Sequence, residues 1–345
     1  MRQNHEITAQ GPLLNAEGNL REPGWARHLL PEYRREDIKA PKFRIKEWDY
    51  YLVVGDDFAV AFTISDDGYI GLQSVSLLEL GERPWEHTET ILNVLPMGKL
   101  KLPSSSESGV TEYKDKRLHM KFEVQEDASR RIRCKFLDFY QKKPFHCDIM
   151  LAPPPAPAES MVIATPWDKD KHFYYNQKIL GMRASGWVEW NGKRYRFDPM
   201  RNFGTLDWGR GVWTYDNTWF WGAGNCDLNG HAFGFNIGYG FGNTGAASEN
   251  VLFYDGKVHK LEDVTFHLPA SGNYTDPWTF SSSDGRFEME FIPILDRAAE
   301  LDFKVLVSDQ HQVFGRMNGR AILDDGTELE IRDVLCFAEQ VHNRY

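Results

Sequence analysis

Beyond its first 42 residues, the chain alternates between short apolar runs and polar turns. Trp48–Val54 stops at an Asp-Asp turn, Phe58–Ile64 stops at Ser-Asp-Asp-Gly, and Tyr69–Leu78 follows. Runs of β-branched and aromatic residues separated by Asp and Gly are typical of β-hairpins. Leu118–Val124 alternates apolar and polar residues, which predicts an antiparallel strand with one buried face. This half of the chain is therefore predicted to be antiparallel β-structure.

The same pattern continues in the second half. Gly186–Trp190 and Lys193–Phe197 flank Asn191-Gly192, and an Asn-Gly pair between two alternating runs is a strong hairpin signal. Helical spacing is rare, and it predicts short helices only around Ser74–Glu82 and Pro84–Val94. Roughly fifteen or more short strands with tight turns predict an all-β protein with few short helices, built as two antiparallel barrels or sandwiches side by side.

A proline run interrupts the strand pattern. Ala152–Ala158 reads Ala-Pro-Pro-Pro-Ala-Pro-Ala, and proline cannot donate a hydrogen bond to a central sheet ladder. Residues 152–158 are therefore predicted to link a first β domain, residues 43–151, to a second β domain, residues 159–345. Residues 1–42 are polar and rich in Gly and Pro, which predicts an arm that wraps the body or caps one end. Two domains also fit the 345-residue length.

The composition argues against several classes of protein. The chain has 40 Lys and Arg against 50 Asp and Glu, a net charge of -10, which disfavours a nucleic-acid or anionic-membrane surface. No apolar run approaches the roughly 18 residues of a membrane span, and the N-terminus lacks the apolar stretch of a secretory signal. The four cysteines form no Cys-x-x-Cys pair and are interpreted as reduced thiols. A cytoplasmic location is predicted.

The tryptophans are concentrated in one segment. Four of the 11 Trp lie between Trp208 and Trp221. Two glycines flank Arg210 there, and Asp207 stands three positions before it, so the two charged side chains are candidates for an ion pair. The segment predicts an aromatic-walled pocket with Asp207 and Arg210 at its mouth or floor. A barrel closure in which Arg210 stacks on a tryptophan and pairs with Asp207 for structure is the alternative.

A second segment predicts a strand with one bare face. Between positions 234 and 242 every second residue is Gly, except Asn236, while the residues between them are large and apolar. A bare face lets a ligand or another backbone approach closely. Glu249 and Asn250 stand at the start of the next strand, where aromatic surroundings would raise the pKa of a carboxyl group and make it a usable proton donor. A solvated glutamate at a strand end is the alternative.

These segments define a candidate site. The candidate catalytic residues are Asp207 and Glu249. The candidate ligand-binding residues come from the two segments above and from a mixed polar and aromatic run at residues 168–178: Trp208, Arg210, Trp213, Tyr215, Trp219, Trp221, Asn236, Tyr239, Asn250 and Tyr175. The histidine spacings match no metal motif and the glycine spacing does not fit a dinucleotide fold, so neither a metal nor a cofactor is predicted.

Three functions stay open on these residues. The first is a cofactor-free hydratase, isomerase or cyclase that acts on an apolar or polycyclic small molecule, with Asp207 or Glu249 as general acid. The second is a glycoside hydrolase with paired carboxylates and tryptophan platforms. The third is a non-catalytic carrier of the lipocalin type. In each case the partner is a small molecule, and the oligomeric state stays open.

Several segments resemble one bacterial family. FGTLDWGRGVWTYDNTWFWGAG, GFNIGYGFGNTGAASENVLFYDGKVHKL and VFGRMNGRAIL resemble the proteins of domain-of-unknown-function family 2804, as does GPLLNAEGNLREPGWAR. More distantly, the Asp-Trp-Gly core is similar to tandem lipocalin-like (calycin) proteins, which include carotenoid hydratases and tocopherol cyclases. That resemblance implies two barrel units with a pocket in or between them, with Asp207 and Trp208 in part of the site. The histidine-bearing form of their motif is absent, because Leu206 precedes Asp207.

Overall fold

The computed structural model describes residues 3–302 and 307–344 of the chain. These residues form 24 β-strands and two short 3-10 helices, Arg35–Asp37 and Lys42–Arg44. The prediction of an all-β protein with few short helices is therefore confirmed. Within the described part of the chain, no helix is long and apolar enough to cross a membrane. The cytoplasmic location stays a prediction.

The strands up to residue 212 are, in chain order, β1 (Gly11–Pro12), β2 (Gly24–Ala26), β3 (Pro31–Glu32), β4 (Ile45–Val54), β5 (Phe58–Asp66), β6 (Ile70–Glu79), β7 (Trp85–Val94), β8 (Val110–Lys114), β9 (Leu118–Val124), β10 (Arg130–Tyr140), β11 (Lys143–Leu151), β12 (Met161–Pro166), β13 (Phe173–Trp190), β14 (Lys193–Phe197) and β15 (Phe203–Val212). Apart from the small β1–β3 pair, they form one sheet. Its central order is β7-β6-β5-β4-β15-β13-β11-β10-β9-β8. In addition, β12 and β14 each pair with β13, and β2 pairs with β12.

The remaining strands are β16 (Asp216–Leu228), β17 (His231–Tyr239), β18 (Val251–Tyr254), β19 (Lys257–Lys260), β20 (Val264–His267), β21 (Trp278–Ser282), β22 (Phe287–Asp302), β23 (Val307–Ile322) and β24 (Glu328–Arg344). They form a second sheet in the order β19-β18-β17-β16-β24-β23-β22-β21-β20. Each sheet curls into a half-barrel, which confirms the prediction of two antiparallel β units.

The change of sheet does not coincide with the proline run. β11 precedes that run and β13 follows it, yet the two strands pair directly from Phe145↔Trp190 to Leu151↔Ala184. The chain passes from the first sheet to the second between Val212 and Asp216. A domain boundary at residues 152–158 stays a prediction, and the hydrogen bonding of the sheets gives it no support.

The two predicted helices are wrong. Ser74–Glu82 falls mostly within β6, and Pro84–Val94 corresponds to β7. β6 pairs with β5 on one side and with β7 on the other, so its extended backbone has hydrogen-bond partners along both edges. A short apolar run has the same composition in a buried strand as in a helix, and the neighbouring strands decide between them.

The predicted Asn-Gly hairpin is confirmed. Asn191 and Gly192 have φ values of 50° and 77°, and Trp190 pairs with Lys193 across the turn. A positive φ at both central residues matches the right-handed twist of the flanking strands, and Asn followed by Gly tolerates it well.

Three hydrophobic clusters hold the fold together. One fills the first half-barrel and includes Phe62 and Phe136, and another fills the second half-barrel and includes Phe235 and Trp278. The third contains side chains from both sheets, including Trp221, and lies between them. The two half-barrels therefore share a buried interface, and this interface positions the candidate site.

Candidate functional site

A row of polar side chains crosses the first sheet at this interface. Asp207 on β15 has Lys178 on β13 and Tyr50 on β4 as its direct neighbours in the sheet. Directly paired residues point to the same face of a sheet. The three side chains therefore stand side by side, although they lie far apart in the sequence.

A matching row crosses the second sheet. Trp221 on β16 is paired with Gly238 on one side and with Glu339 on the other. Glu339 on β24 is in turn paired with Gln312 on β23. This sheet therefore presents an indole, a carboxyl group and an amide in one line.

The two rows face each other. Lys178 Nζ lies 3.8 Å from the centre of the Trp221 ring, and the Tyr50 ring meets Trp221 edge-on with 6.0 Å between ring centres. With Glu249, which reaches the same place from the loop before β18, these side chains form a group that we call the inter-sheet cluster: Tyr50, Lys178, Asp207, Trp221, Glu249, Gln312 and Glu339.

The Asp207 carboxylate is fully engaged by donors. Lys178 Nζ lies 2.9 Å from Oδ1, and Asn176 Nδ2 donates to the same oxygen at 2.5 Å. Trp48 Nε1 donates to Oδ2 at 3.2 Å. Three donors that converge on two oxygens stabilise a charged carboxylate. Asp207 and Lys178 thus form a buried ion pair at the centre of the interface.

Glu249 has a different environment. Its side chain is fully buried, and Tyr174 Oη donates to Oε2 at 3.3 Å, whereas Oε1 has no hydrogen-bond partner among the described residues. Burial raises the pKa of Glu249 above its ordinary value; the charge of Lys178 opposes this rise, and that of Asp207 adds to it. The rise expected from the sequence is therefore present, and it makes this carboxyl group harder to ionise than an ordinary glutamate.

Glu339 is a second buried acid in the cluster. It accepts hydrogen bonds from Trp219 Nε1 at 3.0 Å and from Gln312 Nε2 at 2.7 Å. Burial raises the pKa of Glu339, while these two hydrogen bonds oppose the rise. Burial also raises the pKa of the Tyr50 phenol to about 12, so Tyr50 stays neutral at physiological pH.

Aromatic rings enclose the cluster. Trp213 packs edge-on against Trp48 and Trp219 with ring centres 5.5 Å and 5.4 Å apart, and Tyr174 stacks on Phe241 at 4.9 Å. This wall keeps water away from the carboxyl groups, which is the physical cause of the raised pKa of Glu249.

A cavity lies next to Glu249. It has a volume of about 310 Å³, and its lining includes Gly238, Tyr239, Ser248, Asn250, Asp263 and Thr265. A Cβ atom at Gly238 would come within 2.5 Å of Glu249 Oε1. At Gly238 the bare face of the strand is thus occupied by the Glu249 carboxyl group, and the cavity is lined by Gly238 and by Ser248 and Asn250, the two neighbours of Glu249 in the sequence.

The structure divides the sequence-predicted residues into several groups. The inter-sheet interface holds Asp207, Trp213, Trp219, Trp221, Asn236 and Glu249. Asn236 accepts from Trp221 Nε1 at 2.8 Å and donates to the Glu249 backbone. Tyr239 and Asn250 line the cavity, and Tyr215 is exposed. Trp208, Arg210 and Tyr175 face the interior of the first half-barrel, away from the cluster.

The expected ion pair between Asp207 and Arg210 is wrong. The segment is a strand, so residues 207 and 210 point to opposite faces of the sheet. Arg210 Nη2 instead donates to Asp49 Oδ1 at 3.0 Å, and its guanidinium stacks on the Trp208 ring at 4.1 Å. The alternative is correct that Arg210 stacks on a tryptophan, but its acidic partner is Asp49 and not Asp207.

Several cluster residues were missed in the sequence. Lys178 and Asn176 lie in the mixed run 168–178, but only Tyr175 was selected from it, and Tyr175 Oη donates to the Pro31 carbonyl in the first half-barrel. Glu339 carried a weak signal, as a carboxyl group that follows five apolar residues in one strand. Within the described ranges, no three His, Cys, Asp or Glu side chains have the arrangement of a metal site.

Comparisons with known proteins identify a family and a fold. A family model described as domain of unknown function, DUF2804, matches residues 4–345. No curated protein sequence matches the chain. A crystal structure of a protein from Nitrosomonas europaea described as AttH is 13% identical with a TM-score of 0.50, and the match covers 90% of this chain and 96% of that one. This similarity concerns the fold alone.

Two further solved structures match with lower scores. Kievitone hydratase from Nectria haematococca is 11% identical with a TM-score of 0.48, and the match covers 97% of this chain and 98% of that one. CghA is 11% identical with a TM-score of 0.42, and the match covers 97% of each chain.

Proposed function

The chain belongs to the DUF2804 family, whose description assigns no activity, and we propose that it is an acid–base enzyme that protonates a largely apolar, ring-bearing small molecule. The class of reaction is hydration, isomerisation or cyclisation. A shared fold does not assign chemistry, so the proposal depends on the site. The observation that carries it is Glu249, a fully buried carboxyl group with one unpartnered oxygen beside the Lys178–Asp207 ion pair.

Glu249 has the properties of a general acid. A proton donor needs a pKa near the working pH, and burial moves the pKa of Glu249 in that direction. Tyr174 Oη holds Oε2, which leaves Oε1 free to face a substrate. In the first step the Glu249 O–H bond breaks and a C–H bond forms at an alkene carbon, which leaves a cation on the substrate and a carboxylate on Glu249.

Asp207 is suited to stabilise that cation. Its carboxylate is fixed by Lys178, Asn176 and Trp48 before the reaction begins, so it needs no reorganisation when positive charge develops. The cation then takes one of three routes: it binds water, loses a proton from a neighbouring carbon, or is attacked by a group of the same molecule. In each route the proton that is released, from the water, from the neighbouring carbon or from the attacking group, returns to the Glu249 carboxylate, which restores the acid.

The 310 Å³ cavity suits the supply of substrate and water. Its lining includes Gly238, which lies against Glu249 Oε1, together with Ser248, Asn250 and Thr265, whose side chains carry hydroxyl and amide groups. Ligand sites of small molecules begin at about this volume.

The glycoside hydrolase alternative is less well supported. Sugar-binding tryptophans present an open ring face, whereas Trp48, Trp213 and Trp219 pack against one another. The carrier alternative differs from the enzyme in one measurable respect, because a carrier returns its ligand unchanged.

The test is the Glu249→Gln variant. A thermal-shift screen of fractionated metabolite extracts identifies the bound compound, and mass spectrometry then follows its conversion. We expect the variant to bind the compound and to convert it about 10²–10⁴-fold more slowly, since the amide cannot donate the proton. The matched control is Glu330→Gln, at an exposed position of β24.

The outcomes separate the three functions. A product heavier by one water molecule indicates a hydratase, and a product of equal mass indicates an isomerase or cyclase. Sugar release at an unchanged rate in Glu249→Gln would disprove the acid role, and a ligand recovered unchanged from the wild-type protein would indicate a carrier.

A further inference from the structure

The interface between the sheets contains polar atoms that have no partner. Each belongs to a side chain that is more than nine-tenths buried, and none makes a hydrogen bond of standard geometry within the described part of the chain: Tyr50 Oη, Asn176 Oδ1, Trp213 Nε1, Glu249 Oε1 and Gln312 Oε1. Buried polar groups without partners destabilise a protein, and native folds contain few of them. A concentration of five at one interface therefore indicates a ligand that supplies the missing hydrogen bonds.

Four of these atoms belong to neighbouring side chains at the interface. Tyr50 is the sheet neighbour of Asp207, and the Asn176 amide binds the same carboxylate. Gln312 is the sheet neighbour of Glu339 on the facing sheet, and its amide is close to the Tyr50 phenol. The charges of Lys178 and Asp207 both act on the pKa of Glu249, so the three side chains lie near one another.

Two of the unpartnered atoms are amide oxygens, which only accept hydrogen bonds. Asn176 directs its nitrogen at the Asp207 carboxylate, which can only accept, so its oxygen must point the other way. The free atom of Gln312 is also an amide oxygen, and its nitrogen is bound to Glu339. The Tyr50 hydroxyl and a protonated Glu249 can accept or donate, and the Trp213 indole can only donate. A ligand that satisfies the two amide oxygens must therefore carry two hydrogen-bond donors, such as hydroxyl groups.

The charges at the interface disfavour an anion. Lys178 is already paired with Asp207, and Arg297, whose charge acts on Tyr50 and Glu339, donates to Ser76 Oγ at 2.7 Å. A carboxylate or phosphate on the ligand would have to lose its water beside cations that already have partners, at a large desolvation cost.

We infer that the ligand of the inter-sheet cluster is a neutral ring compound with at least two free hydroxyl groups, which donate to the amide oxygens of Asn176 and Gln312. This inference rests on the proposed function for the location of the site. The hydroxyl groups could be phenolic or attached to a saturated ring, and the unpartnered atoms recognise both.

Binding of four matched probes tests this chemistry. The probes are 2,7-dihydroxynaphthalene, its dimethoxy counterpart, naphthalene-2,7-dicarboxylate and the saturated decalin-2,7-diol, each titrated against the full chain by ligand-observed NMR. We expect the aromatic diol to bind about 10-fold or more tightly than the dimethoxy compound, because the ether oxygens cannot donate. The dicarboxylate should bind more weakly than either, and the decalin diol shows whether the hydroxyl groups must be phenolic.

Tyr50→Phe locates the binding at the cluster. The variant removes one unpartnered oxygen. It should therefore lower the affinity for the diol about 3- to 10-fold and leave the affinity for the dimethoxy compound unchanged. Tyr140→Phe is the control, because Tyr140 packs against Trp85 and Trp190 within the first half-barrel. Equal affinities of the diol and the dimethoxy compound, no binding of the diol, or an unchanged preference in Tyr50→Phe would overturn the inference and leave ordered water as the occupant of these atoms.

The same titrations on Glu249→Gln separate this inference from the proposed function. If the variant keeps the diol preference and also keeps wild-type turnover, the acid role of Glu249 is disproved and the recognition of hydroxyl groups stands. If turnover falls but the diol and the dimethoxy compound bind with equal affinity, the acid role stands and the ligand class is disproved.

Discussion

At the scale of single residues, side chains that are adjacent in the sequence lie on opposite faces of the first sheet. Asp207 faces the second sheet and pairs with Lys178, while Trp208 and Arg210 face the interior of the first half-barrel. A strand reverses the direction of its side chains at every residue, so adjacent positions belong to different surroundings. The composition of this segment therefore indicated a candidate site, but it did not show which of its charged groups pair.

Lys178→Met tests the buried ion pair. The substitution leaves Asp207 buried beside a thioether, so we expect the free energy of unfolding to fall by about 3–5 kcal/mol, measured by urea denaturation. Adding Asp207→Asn should recover most of the loss, because the neutral amide has no charge to compensate.

A matched lysine shows the effect of burial. Lys193 Nζ lies 2.8 Å from Glu79 Oε1, but the Lys193 side chain is 58% exposed. Lys193→Met should therefore lower the free energy of unfolding by less than about 1 kcal/mol. Similar losses in Lys178→Met and Lys193→Met would contradict the view that burial makes the Lys178–Asp207 pair important.

At the scale of elements, β15 shows how a glycine permits an aromatic contact. A Cβ atom at Gly209 would lie 1.9 Å from the Trp48 ring. The absence of that atom lets Trp48 lie flat on the strand and reach Asp207 with its Nε1. The sequence showed glycines around Arg210, but the ring that needs one of them comes from β4, more than 150 positions earlier.

Gly209→Ala should disturb this packing. We expect a loss of about 1–3 kcal/mol in the free energy of unfolding, with a change in near-ultraviolet circular dichroism as Trp48 moves. Gly81→Ala is the control, because a Cβ atom there would meet only Asp57 at an ordinary distance of 3.5 Å or more. A Gly209→Ala protein with wild-type stability and spectrum would show that the Trp48 ring adapts without cost.

At the scale of the whole molecule, the two half-barrels bury acidic groups between them. Burial raises the pKa values of Glu249 and Glu339, so the folded protein keeps protons that the unfolded chain has released. Stability then decreases as the pH rises from the ordinary glutamate pKa of 4.5 through the raised pKa of each group. The interface is consequently most stable in mildly acidic solution as far as these two acids are concerned.

Glu339→Gln tests this pH dependence. The amide does not titrate, and Gln312 can rotate its amide to keep the contact, so the variant should match the wild type near pH 5 and exceed its stability near pH 8. The slope for one group is limited to about 1.4 kcal/mol per pH unit. Thermal unfolding between pH 5 and pH 8 measures the difference, with the exposed Glu330→Gln as control. A constant difference across this range would show that Glu339 is not protonated in the folded protein.

The sequence by itself determined the all-β class, the paired half-barrels and individual turns such as Asn191-Gly192, because alternating polarity and turn residues are local properties. It also indicated Asp207 and Glu249 as candidate acids. Only the tertiary structure decided which groups those acids meet. Lys178, Asp207 and Tyr50 become neighbours through strand register, and Glu339 reaches them through the packing of the second sheet. Register and packing depend on contacts between distant parts of the chain, which no local pattern contains.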